Sequence, residues 1–78
     1  MDQNKFIEKI AEQFEEFCDV KLSLDTEFKK IDGWSSLIAL SIMSMCTDEY
    51  GVTISADDMR KAAKVADIYN IVKSRINE

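Results

Sequence analysis

Ser35-Ser36-Leu37-Ile38-Ala39-Leu40-Ser41-Ile42-Met43-Ser44-Met45-Cys46-Thr47-Asp48-Glu49-Tyr50-Gly51 is the stretch on which the fold turns. At helical spacing, Ala39, Ile42, Met43, Cys46 and Tyr50 share one arc of about 100°, the width of a core-facing stripe. Ser41, Ser44, Thr47 and Asp48 fall opposite. The pattern predicts a helix that starts at Ser35 or Ser36, since either serine can cap it, and runs to Tyr50, where Gly51 is placed to stop it. Leu37 and Leu40 break the division. Both lie on the polar side, flanking Ser44 in projection near the helix start, and are candidate exposed apolar residues.

Reading outward, Phe6, Ile7, Ile10, Phe14 and Phe17 follow helical spacing, while Glu8, Glu12, Glu15 and Glu16 lie largely off that stripe. This predicts a first amphipathic helix from about Asn4 to Phe17. Residues 18–34 show no sustained period and make a long connection, which Leu22, Leu24, Phe28 and Ile31 are expected to pin to the core. Beyond Gly51, Val52 to Ile54 reads as a short extended link. Ser55 followed by Asp58 resembles a capping box and opens a short helix through Met59 and Ala62. A last helix covers about Val65 to Ile76, with Val65, Ile68, Tyr69, Val72 and Ile76 on one side. The expected fold is all-α: one domain over residues 1–78, a small four-helix bundle of three longer helices and one short, with a long loop between the first and second helices.

Composition narrows the function. With 78 residues the chain has room for one small core and none for a deep catalytic cleft. A formal net charge of −5 disfavours nucleic acid and anionic membranes and favours basic protein surfaces. The polar, charged Met1 to Lys9 is unlike a signal peptide, and no apolar run reaches the ~18 residues of a membrane span, so a cytoplasmic location without stable membrane insertion is expected. There is no histidine, and Cys18 and Cys46 are too few and too far apart for a disulfide scaffold or a zinc site. No serine has an evident neighbouring base, so no catalytic residues and no enzyme activity are expected. The acids near Asp57 and Asp58, and the segment from Asp25 to Ser36, lack the ligand pattern of a calcium loop. No metal site is expected.

The segment Ser35-Ser36-Leu37, the apolar helix ending Asp48-Glu49-Tyr50, then Val52-Thr53-Ile54 and Ser55-Ala56-Asp57-Asp58, resembles the acyl carrier proteins. Leu24-Asp25-Thr26-Glu27-Phe28 is similar to that family's loop, and Val65-Ala66-Asp67-Ile68-Tyr69-Asn70-Ile71-Val72 to its final helix. The resemblance covers nearly the whole chain in order. It implies a non-catalytic carrier whose Ser36, in the place of the serine of the family's Asp-Ser-Leu motif, is esterified by 4'-phosphopantetheine from coenzyme A. The arm holds acyl groups as thioesters for the enzymes of a dissociated fatty acid or polyketide-type pathway. Implied partners are a phosphopantetheinyl transferase and acyl-loading, condensing and acyltransferase enzymes with basic or apolar docking patches. They would meet Leu37, Leu40, Ser41, Ser44, Asp48, Asp57 and Asp58 on a monomeric carrier.

The chain also departs from the family. Ser35 stands where the motif has aspartate, which removes a charge that transferases often meet. Ile38, Ser41 and Ser44 make the second helix poorer in acid, so recognition should lean on apolar contact. Lys64 replaces a frequent threonine cap, leaving Asp67 to favour the start of the last helix through the helix dipole. A protein-interaction module without any arm is the rival reading, since an acidic helical domain with an exposed leucine pair would serve as one.

Overall fold

A computed structural model describes residues 2–14, 21–31 and 33–76. Among them there is no strand. The order is α1 (Gln3–Glu12), a single 3-10 turn (Phe28–Lys30), α2 (Ser36–Tyr50), α3 (Ala56–Lys61) and α4 (Val65–Arg75). The radius of gyration is 11.3 Å, close to the ~11.5 Å expected of a folded chain of this length. Among the described residues no helix is long and apolar enough to cross a membrane.

Asp2 caps α1, its carboxylate accepting the Lys5 amide at 3.1 Å. The helix ends at Glu12, short of the expected Phe17. There the amides of Gln13 and Phe14 turn back onto Ile10 and Ala11 in i→i−3 bonds of 3.1 and 3.0 Å, which tighten and close the last turn. Phe17 and Cys18 lie outside the described residues. The predicted stripe is otherwise kept: Phe6, Ile10 and Phe14 are buried and Ile7 packs against them. Phe6 joins three helices, with its ring centroid 5.8 Å from Tyr50 of α2 and 5.5 Å, edge-on, from Tyr69 of α4.

The connection before α2 is pinned as its apolar residues predict. Phe28 is fully buried, while Leu22, Leu24 and Ile31 are half-buried against the core. Trp34 adds to them, with its ring edge-on to Phe28 at 5.2 Å and 6.2 Å from Phe14. The 3-10 turn around Phe28 has no periodic signature because it is shorter than one α-helical turn.

The start of α4 shows how the loop is fastened. A helix begins with amides that have no partner inside it. Here Val65 donates to the Thr26 carbonyl at 3.0 Å and Ala66 to the Leu24 carbonyl at 2.9 Å. The Asp67 carboxylate accepts the amides of Ala63 and Lys64 at 2.8 and 2.9 Å. Asp67 therefore does more than meet the helix dipole. It caps directly, and these hydrogen bonds hold its carboxyl below the ordinary range.

Between α2 and α3 the link alternates as an extended segment should: Val52 and Ile54 are buried and Thr53 is exposed. The Ser55–Asp58 capping box forms in both directions, each bond 3.0 Å. Arg75, at the end of α4, closes on the same carboxylate with bonds of 2.8 and 3.3 Å and also donates to the Thr53 carbonyl at 2.9 Å. One guanidinium thus ties the link, α3 and α4 together.

Two predictions concern stability. Gly51 has φ +67°, and a Cβ added there meets nothing within 4 Å, so any cost of Gly51→Ala is conformational. A left-handed alanine costs about 1–2 kcal/mol, so the melting temperature should fall by about 5–15 °C, with Gly51→Asn falling less. An unchanged melting curve would refute the capping role. For the clamp, Arg75 and the Ser55 cap hold the Asp58 carboxyl well below the usual carboxylate range. A depressed folded-state pKa gives stability that is present above the unfolded value, ~3.9, and lost as pH falls through the folded one. Arg75→Gln should therefore melt lower than the parent chain at neutral pH, and the gap should narrow below about pH 4. A gap independent of pH would show that the pairing with Asp58 contributes nothing.

Candidate functional site

The helix start that carries the two serines is built as its sequence suggests. Ser35 is extended (φ −156°, ψ 171°) and is the N-cap, its hydroxyl accepting the Ile38 amide at a long 3.5 Å and its carbonyl the Ala39 amide at 3.1 Å. Ser36 is the first helical residue and is exposed. Both residues are exposed, and of the two hydroxyls it is that of Ser35 that caps the helix. No carboxylate stands in the first turn of α2, whereas α3 has Asp57 and Asp58 there and α4 has Asp67. The positive end of the longest helix is left without a carboxylate of its own.

Beside Ser36 the exposed leucines are where the helical wheel puts them. Leu37 is 75% and Leu40 57% exposed, the large apolar side chains that the core leaves out among the described residues. Ser41, Ser44 and Asp48 are exposed along the same side of α2. The opposite arc is wider than expected. Ile42 and Cys46 are fully buried, but Met45, outside the predicted arc, is buried too, while Ala39, Met43 and Tyr50 are only half-buried. A wheel drawn on α2 alone carries no record of the neighbours that cover a second flank of the helix.

Burial pushes the Cys46 thiol up to about 11, which leaves it almost entirely un-ionised and unreactive at neutral pH. Cys46 is a packing residue. The acids expected to meet partners differ in availability. Asp57 is paired with both Arg60 and Lys61, the latter at 3.2 Å, and Asp58 is held by Arg75 and the Ser55 cap. Glu49 pairs with Lys9 of α1 at 3.2 Å. Asp48 has no ion pair among the described residues.

Two open grooves flank this ridge. One, of about 650 Å³, runs between α1 and α2, with Leu37, Leu40 and Met45 on one side and Lys9, Glu12 and Gln13 on the other. The second, of about 340 Å³, lies toward the link, where Leu40 and Ser44 meet Met43, Thr47 and Ile54. Lys9, Glu12, Gln13 and Met45 belong to this surface although the sequence reading does not single them out. No family model, curated protein or solved structure matches the chain.

Leu40 gives a direct test of the surface. Leu40→Glu should shift stability by under about 0.5 kcal/mol, as surface substitutions do. Helicity and melting temperature should stay close to those of the parent chain. Loss of folding would show Leu40 to be a core residue.

Proposed function

We propose that this chain is an acyl carrier protein with no catalysis of its own, carrying 4'-phosphopantetheine on Ser36. The observation that carries the reading is the exposed Ser36 at the head of α2, where no carboxylate occupies the first turn, beside the exposed pair Leu37 and Leu40. A phosphodiester at that hydroxyl would lie at the positive end of the helix dipole, next to amides that favour an anion. The attached arm would supply the thiol that holds acyl groups. In this reading the four α-helices form the family's bundle, and the arm is presented from its surface.

Ser35 suits the family's aspartate position in one respect and not in another. Its hydroxyl caps the helix as an aspartate carboxylate would, but it brings no charge for a transferase to meet. The docking surface is correspondingly apolar. With Asp57, Asp58 and Glu49 engaged by cations of the same chain, Leu37 and Leu40 are left to do most of the recognition, and Asp48 most of the steering. Partner enzymes of a fatty acid or polyketide-type pathway would present apolar or weakly basic patches to it.

The leucine pair by itself also suits a protein-interaction module with no arm. Intact mass separates the two. Incubated with coenzyme A and a broad-specificity phosphopantetheinyl transferase, the chain and Ser35→Ala should each gain one phosphopantetheine, and Ser36→Ala none. No gain on the parent chain would sink the carrier reading, and a gain on Ser36→Ala would move the arm elsewhere.

A further inference from the structure

The first turn of α2 is loosely held for a helix start. The Ser35 hydroxyl accepts the Ile38 amide at 3.5 Å, beyond the ~2.7–3.2 Å of an ordinary N–H···O bond, and no carboxylate of that turn meets the helix dipole. The other starts are closed more firmly. Asp2 caps α1 at 3.1 Å, Asp67 caps α4 at 2.8 and 2.9 Å, and both arms of the α3 capping box measure 3.0 Å. Side-chain packing does not make up the difference, because no residue from Ser36 to Ser41 is buried and Ile42 is the first in the helix that is. The strongest anchor lies just ahead of the turn, at Trp34. Gly33, at φ +92°, lets the chain turn there, and the Trp34 amide donates to the Ile31 carbonyl at 3.1 Å. The indole lies edge-on to fully buried Phe28 at 5.2 Å and 6.2 Å from Phe14, the residue after the end of α1 is closed. The turn around Phe28 is itself tied to α3, where the Lys29 ammonium donates to the Arg60 carbonyl at 3.0 Å.

We infer that Trp34 is the positioning residue of the modification site: by anchoring the chain one residue before the Ser35 cap, it keeps the first turn of α2 wound and Ser36 in one place for a transferase. Ordering a turn costs backbone entropy, which a long cap bond and exposed side chains do little to offset. Without the indole the turn should fray by itself, while α2 from Ile42 onward stays held by the core. An enzyme that needs the wound turn then meets only the fraction of chains that have it. Its apparent affinity falls by that fraction, and the chemical step after binding is unchanged. The effect on modification rests on the carrier reading of Ser36; the anchoring of the turn does not.

The test compares the full chain, labelled with 15N, with Trp34→Leu and Trp34→Phe. Native-state hydrogen exchange is read at Ala39, whose amide closes on the Ser35 carbonyl at 3.1 Å, and at Leu40, against the core amides of Cys46 and Val72. In Trp34→Leu the two first-turn amides should gain about tenfold in exchange rate relative to the core pair, and Trp34→Phe, which keeps a ring, should fall between. Adding Ser35→Asp to Trp34→Leu strengthens the cap through the dipole and should slow them again. With coenzyme A and a broad-specificity phosphopantetheinyl transferase, Trp34→Leu should raise the KM for the chain about three- to tenfold and leave kcat within about twofold. Exchange that rises equally at all four amides, exchange at the turn that does not rise, or a kcat that falls at constant KM would each overturn the inference. Should Trp34→Leu not fold, first-turn exchange in Trp34→Phe no faster than in the parent chain overturns it alone. The two claims stay separable. If the parent chain gains no arm, the carrier reading fails and the exchange rates still judge the anchoring; if every variant gains the arm at the parent's KM although its turn frays, the positioning role fails and the carrier stands.

Discussion

The fold depends on two backbone hydrogen bonds, from the first amides of α4 to the carbonyls of Leu24 and Thr26. Helix starts are obliged to find partners for such amides, and here the loop before α2 supplies them. The consequence passes along the chain. Leu24 and Thr26 fixed against α4 leave Phe28 a short tether into the core, Phe28 receives the edge of Trp34, and Trp34 stands two residues before Ser36. A surface serine is thus positioned by a chain of contacts that ends in the core.

Three of the acids hold helix starts or pair with cations of the same chain. Asp58 serves a capping box and a guanidinium together, Asp67 accepts two amides, and Asp57 faces two cations. Surface pairs of this kind contribute little each and leave the formal charge of −5 unchanged, but they decide which acids stand beside a cation of the same chain. What stays available on the ridge of α2 is one unpaired carboxylate among the described residues, Asp48, beside two exposed leucines.

Much of this was legible in the sequence. Periodicity gives the helices, Gly51 and Ser55 give their ends, and the off-stripe position of Leu37 and Leu40 gives their exposure, because each depends on neighbours within a few residues. What escaped depends on residues far apart. The burial of Met45 depends on neighbours outside its own helix, and the clamp of Arg75 on Asp58 joins residues 17 apart. The direct capping by Asp67 was nearer to hand, since its position three residues after Lys64 is that of a capping-box acid, but a lysine in the cap position hides the signal. The early end of α1 escaped for the opposite reason: Phe14 keeps its place in the apolar stripe although the helix has already ended, because its i→i−3 turn leaves the side chain buried.

The two exposed leucines also bear on why α2 is built as it is. Removing apolar area from water stabilises by about 25 cal/mol per Å², so a helix selected only to fold would carry polar residues at these positions or bury the leucines. Neither has happened, though a route inward exists at the same end of the helix. Trp34 and Ile38, on either side of Ser36 and Leu37, both pack against the core. Leu37 and Leu40 are instead exposed, with serines at 41 and 44 beside them along the neighbouring grooves. On the proposed carrier reading a partner enzyme would complete their burial, and the serine that precedes them at the helix start would lie close to where it sits.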